Sequence, residues 1–150
     1  MDETRTILLV EDNPDDEALT LRALRRNNIR NSITVVRDGA EALDWLFSRG
    51  AYAERDASVQ PQVILLDLKL PKVSGLEVLR AVRDDPRTKR LPVVLLTSSK
   101  EDQDVAAGYD LGANSYVRKP VDFGEFAEAV RQLGLYWLML NETAPAKRSP

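Results

Sequence analysis

Val63-Ile64-Leu65-Leu66-Asp67 sets four consecutive apolar side chains against a carboxylate, and the fold is read outward from that junction. A strand with one face in water alternates apolar and polar residues. A run that is apolar at every position suits a strand covered on both faces, as in a parallel sheet between helices. Ile7-Leu8-Leu9-Val10 and Val93-Val94-Leu95-Leu96 have the same character, and Ile33-Thr34-Val35-Val36 and Ser115-Tyr116-Val117 complete a set of five short runs.

Helical spacing fills the intervals between the runs. Ala18, Leu21 and Leu24 mark a first helix; Ala42, Leu43, Leu46 and Phe47 a second; Val78, Leu79 and Val82 a third. Val105, Ala106 and Tyr109 mark a fourth, and Phe126, Val130, Leu133 and Trp137 give the last its apolar stripe. Each helix has a start signal. Asn13-Pro14 supplies a cap residue followed by proline at the first helical position. Asp38 with Glu41, Ser74 with Glu77, Ser99 with Asp102, and Asp122 with Glu125 have the spacing of a capping box or its analogues. Strand and helix therefore alternate five times, which predicts an α/β domain with a parallel sheet and right-handed crossovers. Residues 48–61 form a connection longer than the usual helix-to-strand loop. One domain is expected over residues 1–140, with 141–150 a disordered tail.

Composition narrows the chemistry. The chain of 150 residues, 43% hydrophobic and 30% charged, is of ordinary globular make-up. It has no Cys and no His, which removes disulfides, thiol catalysis, the Ser-His-Asp arrangement and the commonest zinc ligands. The net charge of -3 gives no general attraction for nucleic acid or anionic lipid. The polar start Met1-Asp2-Glu3-Thr4-Arg5 lacks the basic and apolar regions of a signal peptide, and no apolar stretch is long enough to span a membrane. A cytoplasmic protein is expected, with neither membrane nor nucleic acid as partner.

Polar residues stand directly after the strands: Glu11-Asp12, Asp67, Thr97 and Arg118-Lys119-Pro120. In open α/β sheets the ligand site lies outside the carboxyl ends of the strands, so these groups should gather at one edge. Each has an ordinary structural explanation on its own; a lysine in Lys119's position is usually a solvated surface residue. Asp67 is harder to explain, because no helix follows closely enough for it to cap. Taken together, three acids, a hydroxyl and an amine make a constellation for a cation and a phosphoryl group. Converging carboxylates need a cation, and with oxygen ligands alone Mg2+ is the natural choice. The Asp67 carboxylate can then act as nucleophile, with Thr97 and Lys119 donating to phosphoryl oxygens.

These motifs resemble the response-regulator receiver domain of two-component signalling, the chemotaxis-regulator fold. The likeness rests on Ile7-Leu8-Leu9-Val10-Glu11-Asp12, Asp67-Leu68-Lys69-Leu70-Pro71 with Gly75, Pro92-Val93-Val94-Leu95-Leu96-Thr97-Ser98, and Gly112-Ala113-Asn114-Ser115-Tyr116-Val117-Arg118-Lys119-Pro120. It implies a single (βα)5 flavodoxin-like, doubly wound parallel sheet of order 2-1-3-4-5. It also implies that Asp67 is the phosphoacceptor, and that Glu11, Asp12, Asp67 and the backbone carbonyl of Lys69 bind Mg2+. Thr97 and Tyr116 match the switch pair, Lys119 matches the phosphate-binding lysine, and a cis Lys119-Pro120 bond is expected. Asn13-Pro14-Asp15-Asp16, the long loop at 48–61 and the ending Tyr136-Trp137-Leu138-Met139-Leu140 look like the phytochrome-associated single-domain regulators. Glu11 departs from the commoner Asp. The longer side chain would shift the metal or bring the carboxylate within reach of the Lys69 ammonium.

The implied cycle passes a phosphoryl group from a sensor histidine kinase, a phytochrome in that subgroup, to Asp67 and then to water, and so alters partner binding by an unknown downstream protein. The apolar end of the last helix, with Leu135, Tyr136, Leu138 and Met139, predicts a homodimer. Three rivals fare worse. A phosphatase similar to the haloacid-dehalogenase family needs a second Asp two residues after its nucleophile, where this chain has Lys69. A nucleotide- or flavin-binding module has no glycine-rich phosphate loop here. A DNA-binding regulator needs more chain after residue 140 than is present, and a basic surface.

Overall fold

The five apolar runs are the five strands of one sheet: β1 (Thr6–Val10), β2 (Ser32–Val36), β3 (Val63–Leu66), β4 (Val93–Thr97) and β5 (Ser115–Arg118). Every neighbouring pair is parallel, in the order β2-β1-β3-β4-β5. Helices α1 (Pro14–Arg26), α2 (Gly39–Leu46), α3 (Gly75–Asp84), α4 (Asp102–Asp110) and α5 (Phe123–Gly134) alternate with the strands. This computed structural model describes residues 6–26, 32–97, 102–119, 122–134, 136 and 137. No described helix is long and apolar enough to cross a membrane. The tail expected at 141–150 lies outside the described residues, as do Leu135, Leu138 and Met139.

Successive residues of a strand point to opposite faces, so an all-apolar run feeds two cores at once. Leu8, Val10, Ile64, Leu66 and Leu95 pack on one face with Trp45 and Leu46 of α2 and Val78, Leu79 and Val82 of α3. Ile7, Leu9, Val63, Leu65, Val94 and Leu96 pack on the other with Leu24 of α1 and Phe126 and Val130 of α5. Each fully buried Leu, Ile or Val contributes roughly 1.5–3 kcal/mol, so the central strands β1 and β3 carry much of the folding free energy. The less apolar runs are the edge strands. In β2 only Val36 is buried, and β5 is half-buried up to an exposed Arg118.

The start signals are occupied as the sequence predicts. Asn13 Oδ1 accepts from the Asp15 and Asp16 amides, at 2.9 and 3.2 Å. Asp38 caps α2 by accepting from Glu41 N (2.7 Å), Ser74 caps α3 from Glu77 N (3.3 Å), and Asp122 accepts from Glu125 N (3.0 Å). Ser99, expected to cap α4, lies outside the described residues.

Two helical faces differ from the spacing. In α1 the fully buried residues are Thr20, Ala23 and Leu24, and Leu21 packs half-buried against the same core, while Ala18 is exposed. Thr20 can be buried because its hydroxyl donates to Asp16 O at 2.8 Å. In α4, Ala106 is exposed and Tyr109 is 50% exposed, while Gly108 faces the sheet. A Cβ at Gly108 would come within 2.6 Å of Leu95 Cδ1, so the helix packs on the residue that apolar counting overlooks.

The long connection is built around Arg55. Its guanidinium lies 3.7 Å from the Trp45 ring centroid, Nε donates to Trp45 O (2.6 Å), and NH1 donates to Asp56 O (3.1 Å) and Val59 O (2.6 Å). A short 3-10 turn, Gly50–Tyr52, precedes it, and the Tyr52 hydroxyl donates to Glu41 Oε2 at 2.8 Å.

A second arginine ties the fold at the amino ends of β4 and β5. From α3, Arg83 donates to Lys89 O and Leu91 O (3.0 and 2.7 Å), to Gly112 O (2.9 Å) and to Asn114 Oδ1 (2.9 Å). Asn114 Oδ1 in turn accepts from Val93 N at 2.8 Å. Arg83→Ala removes all four bonds and leaves backbone carbonyls unpaired. The expected loss is about 2–4 kcal/mol of unfolding free energy, read from urea midpoints with an unchanged slope.

Candidate functional site

The parallel register decides which polar groups meet. Val10 of β1 is flanked by Val36 of β2 and Leu66 of β3, so Glu11 and Asp67, the next residues, emerge side by side. The ladder runs one step past the strands: Glu11 N donates to Val36 O (3.0 Å) and Asp67 N to Val10 O (3.1 Å). Both carboxylates therefore stand on backbone held by the sheet. Lys119 follows β5 directly and reaches across the edge to them.

The segment after Asp67 is folded tightly beneath it. Lys69 N donates to Asp67 Oδ1 at 3.2 Å, and Gly75 N, at the start of α3, donates to Leu68 O at 2.9 Å. A Cβ on Gly75 would sit 2.2 Å from Asp67 O and 2.7 Å from Leu68 Cα. Only glycine lets the helix come this close to the peptide that carries Asp67.

Lys119 is the centre of charge. Its Nζ donates to Glu11 Oε1, to Asp16 Oδ2 at 2.9 Å and to Asp67 Oδ2 at 3.0 Å, which uses all three N–H donors. Its side chain is 8% exposed and that of Glu11 2%. Burial alone would lower the Lys119 ammonium, but the Glu11, Asp16 and Asp67 carboxylates outweigh it and hold the amine above the ordinary lysine value. At Glu11 the balance falls the other way. Burial, joined by the nearby Asp67 charge, pushes its carboxyl from 4.5 up to about 7 against the pull of Lys119. Asp12 is exposed at the mouth of the site, and one oxygen each from Glu11, Asp12 and Asp67 lie within 4.8 Å of one another. An all-oxygen donor set with one solvent-facing member fits a hard, partly hydrated cation such as Mg2+.

The structure thus brings Glu11, Asp12, Asp67 and Lys119 together. It corrects one expectation: the longer Glu11 side chain reaches the ammonium of Lys119, not that of Lys69, because β1 and β3 aim both carboxylates along the sheet edge toward the end of β5. Lys69 itself is exposed. Tyr116 is half-buried against the core shared by α2 and α3, near Gly108 of α4. Thr97 ends β4 beside Arg118 of β5, but its hydroxyl lies outside the described residues, as does the Lys119-Pro120 bond. Asp16 is the site residue that motif reading missed. Its sequence signal is its place in Asn13-Pro14-Asp15-Asp16 at the first turn of α1, five residues after Glu11, which does not by itself pair it with Lys119.

A five-stranded parallel sheet of this order, with a buried lysine among strand-end acids, is the architecture of a phosphoacceptor domain. Residues 7–131 match the response regulator receiver domain, and the chain belongs to that family. It is 38% identical to response regulator Rcp1 of Synechocystis over 134 residues, which cover 89% of each chain. The phosphorylated cyanobacterial phytochrome response regulator RcpA superposes with a TM-score of 0.88 at 37% identity, over 95% of this chain and 99% of that one. The bacteriophytochrome response regulator RtBRR gives 0.75 at 51% identity, over 96% and 86%. A structure of the Mn2+-bound form of response regulator Rcp1 gives 0.87 at 35% identity, over 94% and 99%. The protein is a receiver-domain response regulator related to the phytochrome-associated ones, with the acidic pocket at which receiver domains bind Mg2+ or Mn2+.

The raised Glu11 carboxyl has a signed effect on stability. Its folded value near 7 lies above the unfolded 4.5, so the folded state holds the extra proton and loses stability as pH rises through that window. With chelator present, the unfolding free energy of the wild type should fall between pH 5 and pH 8 by on the order of 2 kcal/mol more than that of Glu11→Gln. Parallel urea curves at the two pH values check this; equal changes in the two proteins contradict it.

Proposed function

We propose that Asp67 accepts a phosphoryl group from the phosphohistidine of a sensor kinase, a phytochrome in the subgroup this chain resembles, and that residues 1–140 act as the receiver. The observation that carries the reading is the Lys119 ammonium, buried between Asp67 and Glu11 at the carboxyl ends of the strands. An Asp67 oxygen attacks phosphorus as the P–N bond to the imidazole breaks, leaving an aspartyl phosphate; water later attacks phosphorus and restores the carboxylate. Lys119, already hydrogen-bonded to Asp67 Oδ2, turns one N–H to a phosphoryl oxygen, and the Thr97 hydroxyl serves another. Glu11, Asp12, Asp67 and the Lys69 carbonyl would hold Mg2+, which offsets the charge on the transferring group. Phosphorylation adds close to two negative charges. Thr97 shifts toward them and Tyr116 turns inward, so that the α4-β5-α5 surface changes its affinity for a downstream protein.

In this reading the protein catalyses only its own phosphotransfer and dephosphorylation, in the cytoplasm. Lys69 stands two residues after Asp67, where a phosphomonoesterase of the rival class needs a general acid. A homodimer through the last helix is part of the same proposal, supported by Tyr136, which is 50% exposed beside the buried Trp137.

Incubation with acetyl phosphate and Mg2+ should add the mass of one phosphoryl group, lost in Asp67→Asn and without Mg2+. No gain on the wild type, or an undiminished gain in the variant, overturns the assignment, and rapid turnover of an external phosphomonoester would favour the enzyme. Light scattering at micromolar concentration should report a dimer; monomer alone, with and without phosphoryl donor, removes that part.

A further inference from the structure

Asp16 lies outside the set of groups that the proposed chemistry requires, yet it takes one of the three donors of Lys119. It reaches the ammonium from the first turn of α1, a different element from those carrying Glu11 and Asp67, and its side chain is 31% exposed. Glu11 and Asp67 belong to the trio whose oxygens lie within 4.8 Å of one another, and Asp16 does not. A cation entering that trio draws on the Glu11 and Asp67 carboxylates that Lys119 also uses, but not on Asp16.

We propose that Asp16 is a positioning residue: it is the counter-ion that retains the Lys119 ammonium when a metal ion takes the oxygens of Glu11 and Asp67. With Asp16 in place, Lys119 gives up two contacts and keeps a third, so it remains at the sheet edge with N–H donors free for a phosphoryl oxygen. Without it, the ammonium has no hydrogen-bond partner among the described residues except the carboxylates the cation needs, and the two charges contend directly. The inference rests on the reading of Glu11, Asp12 and Asp67 as the metal site and of Lys119 as the phosphoryl-binding amine.

Neighbouring Asp15 supplies an internal control. It is exposed in the same turn, carries the same charge and has no bond to Lys119, whose three donors are otherwise taken. Calorimetric titration with Mg2+ alone, with no phosphoryl donor, should show about a three- to tenfold weaker affinity in Asp16→Asn, against less than about twofold in Asp15→Asn. Asp16→Glu should recover much of the loss. In a Lys119→Gln background the Asp16→Asn effect should vanish, because there is no ammonium to retain. The Lys119 ε-methylene signals should shift on Mg2+ addition differently in the wild type and Asp16→Asn, a change that general loosening of α1 would not produce. Equal effects of the Asp15 and Asp16 variants, or a full effect without Lys119, would overturn the proposal. The titration uses no phosphate, so failure of Asp67 to become phosphorylated leaves its outcome intact.

Discussion

One ammonium with three carboxylate partners ties the working end of this molecule together. Lys119 follows β5 at one edge of the sheet, Glu11 and Asp67 follow the central strands β1 and β3, and Asp16 belongs to α1 on the sheet's face. Removing a partner from a buried ion cluster strands charge that neither water nor protein can compensate. Without Lys119, the carboxylates of Glu11 and Asp67 would repel one another with no protein cation between them. Burial of the cluster disfavours the charged form of Glu11, as its raised carboxyl shows.

The sheet makes such a cluster possible. A parallel register brings the carboxyl ends of β1 and β3 to the same level, and side chains one residue past those ends share an edge without any loop having to place them. Both faces of the central strands are sealed by apolar layers, so the carboxylates stand on closely packed backbone. Gly75 extends this packing, because the start of α3 is pressed against the peptide of Asp67 and Leu68.

Much of this was legible in the order of residues. Four-residue apolar runs identified the buried strands, and their terminal acids identified the site, because both patterns follow from local geometry. The cap residues Asn13, Asp38, Ser74 and Asp122 could be read for the same reason. What escaped depended on contacts between distant segments. Asp16 looked like one more acid in a helix start, since only the reach of Lys119 across 103 positions gives it a role. Gly108 was passed over because apolar counting has no entry for a residue whose value is its missing side chain. The 48–61 connection read as a plain loop because Arg55 organises it through backbone carbonyls and the face of Trp45, neither of which leaves a periodic signal.

Arg83 braces the sheet at the end opposite the charged cluster. It binds backbone just before β4 and just before β5, at the ends of those strands remote from Asp67. β4 is also hydrogen-bonded to β3 and β5 along its length, up to Thr97 beside Arg118. The pair of outer strands is thus clasped twice, by a guanidinium before their first residues and by an ammonium just past the last residue of β5.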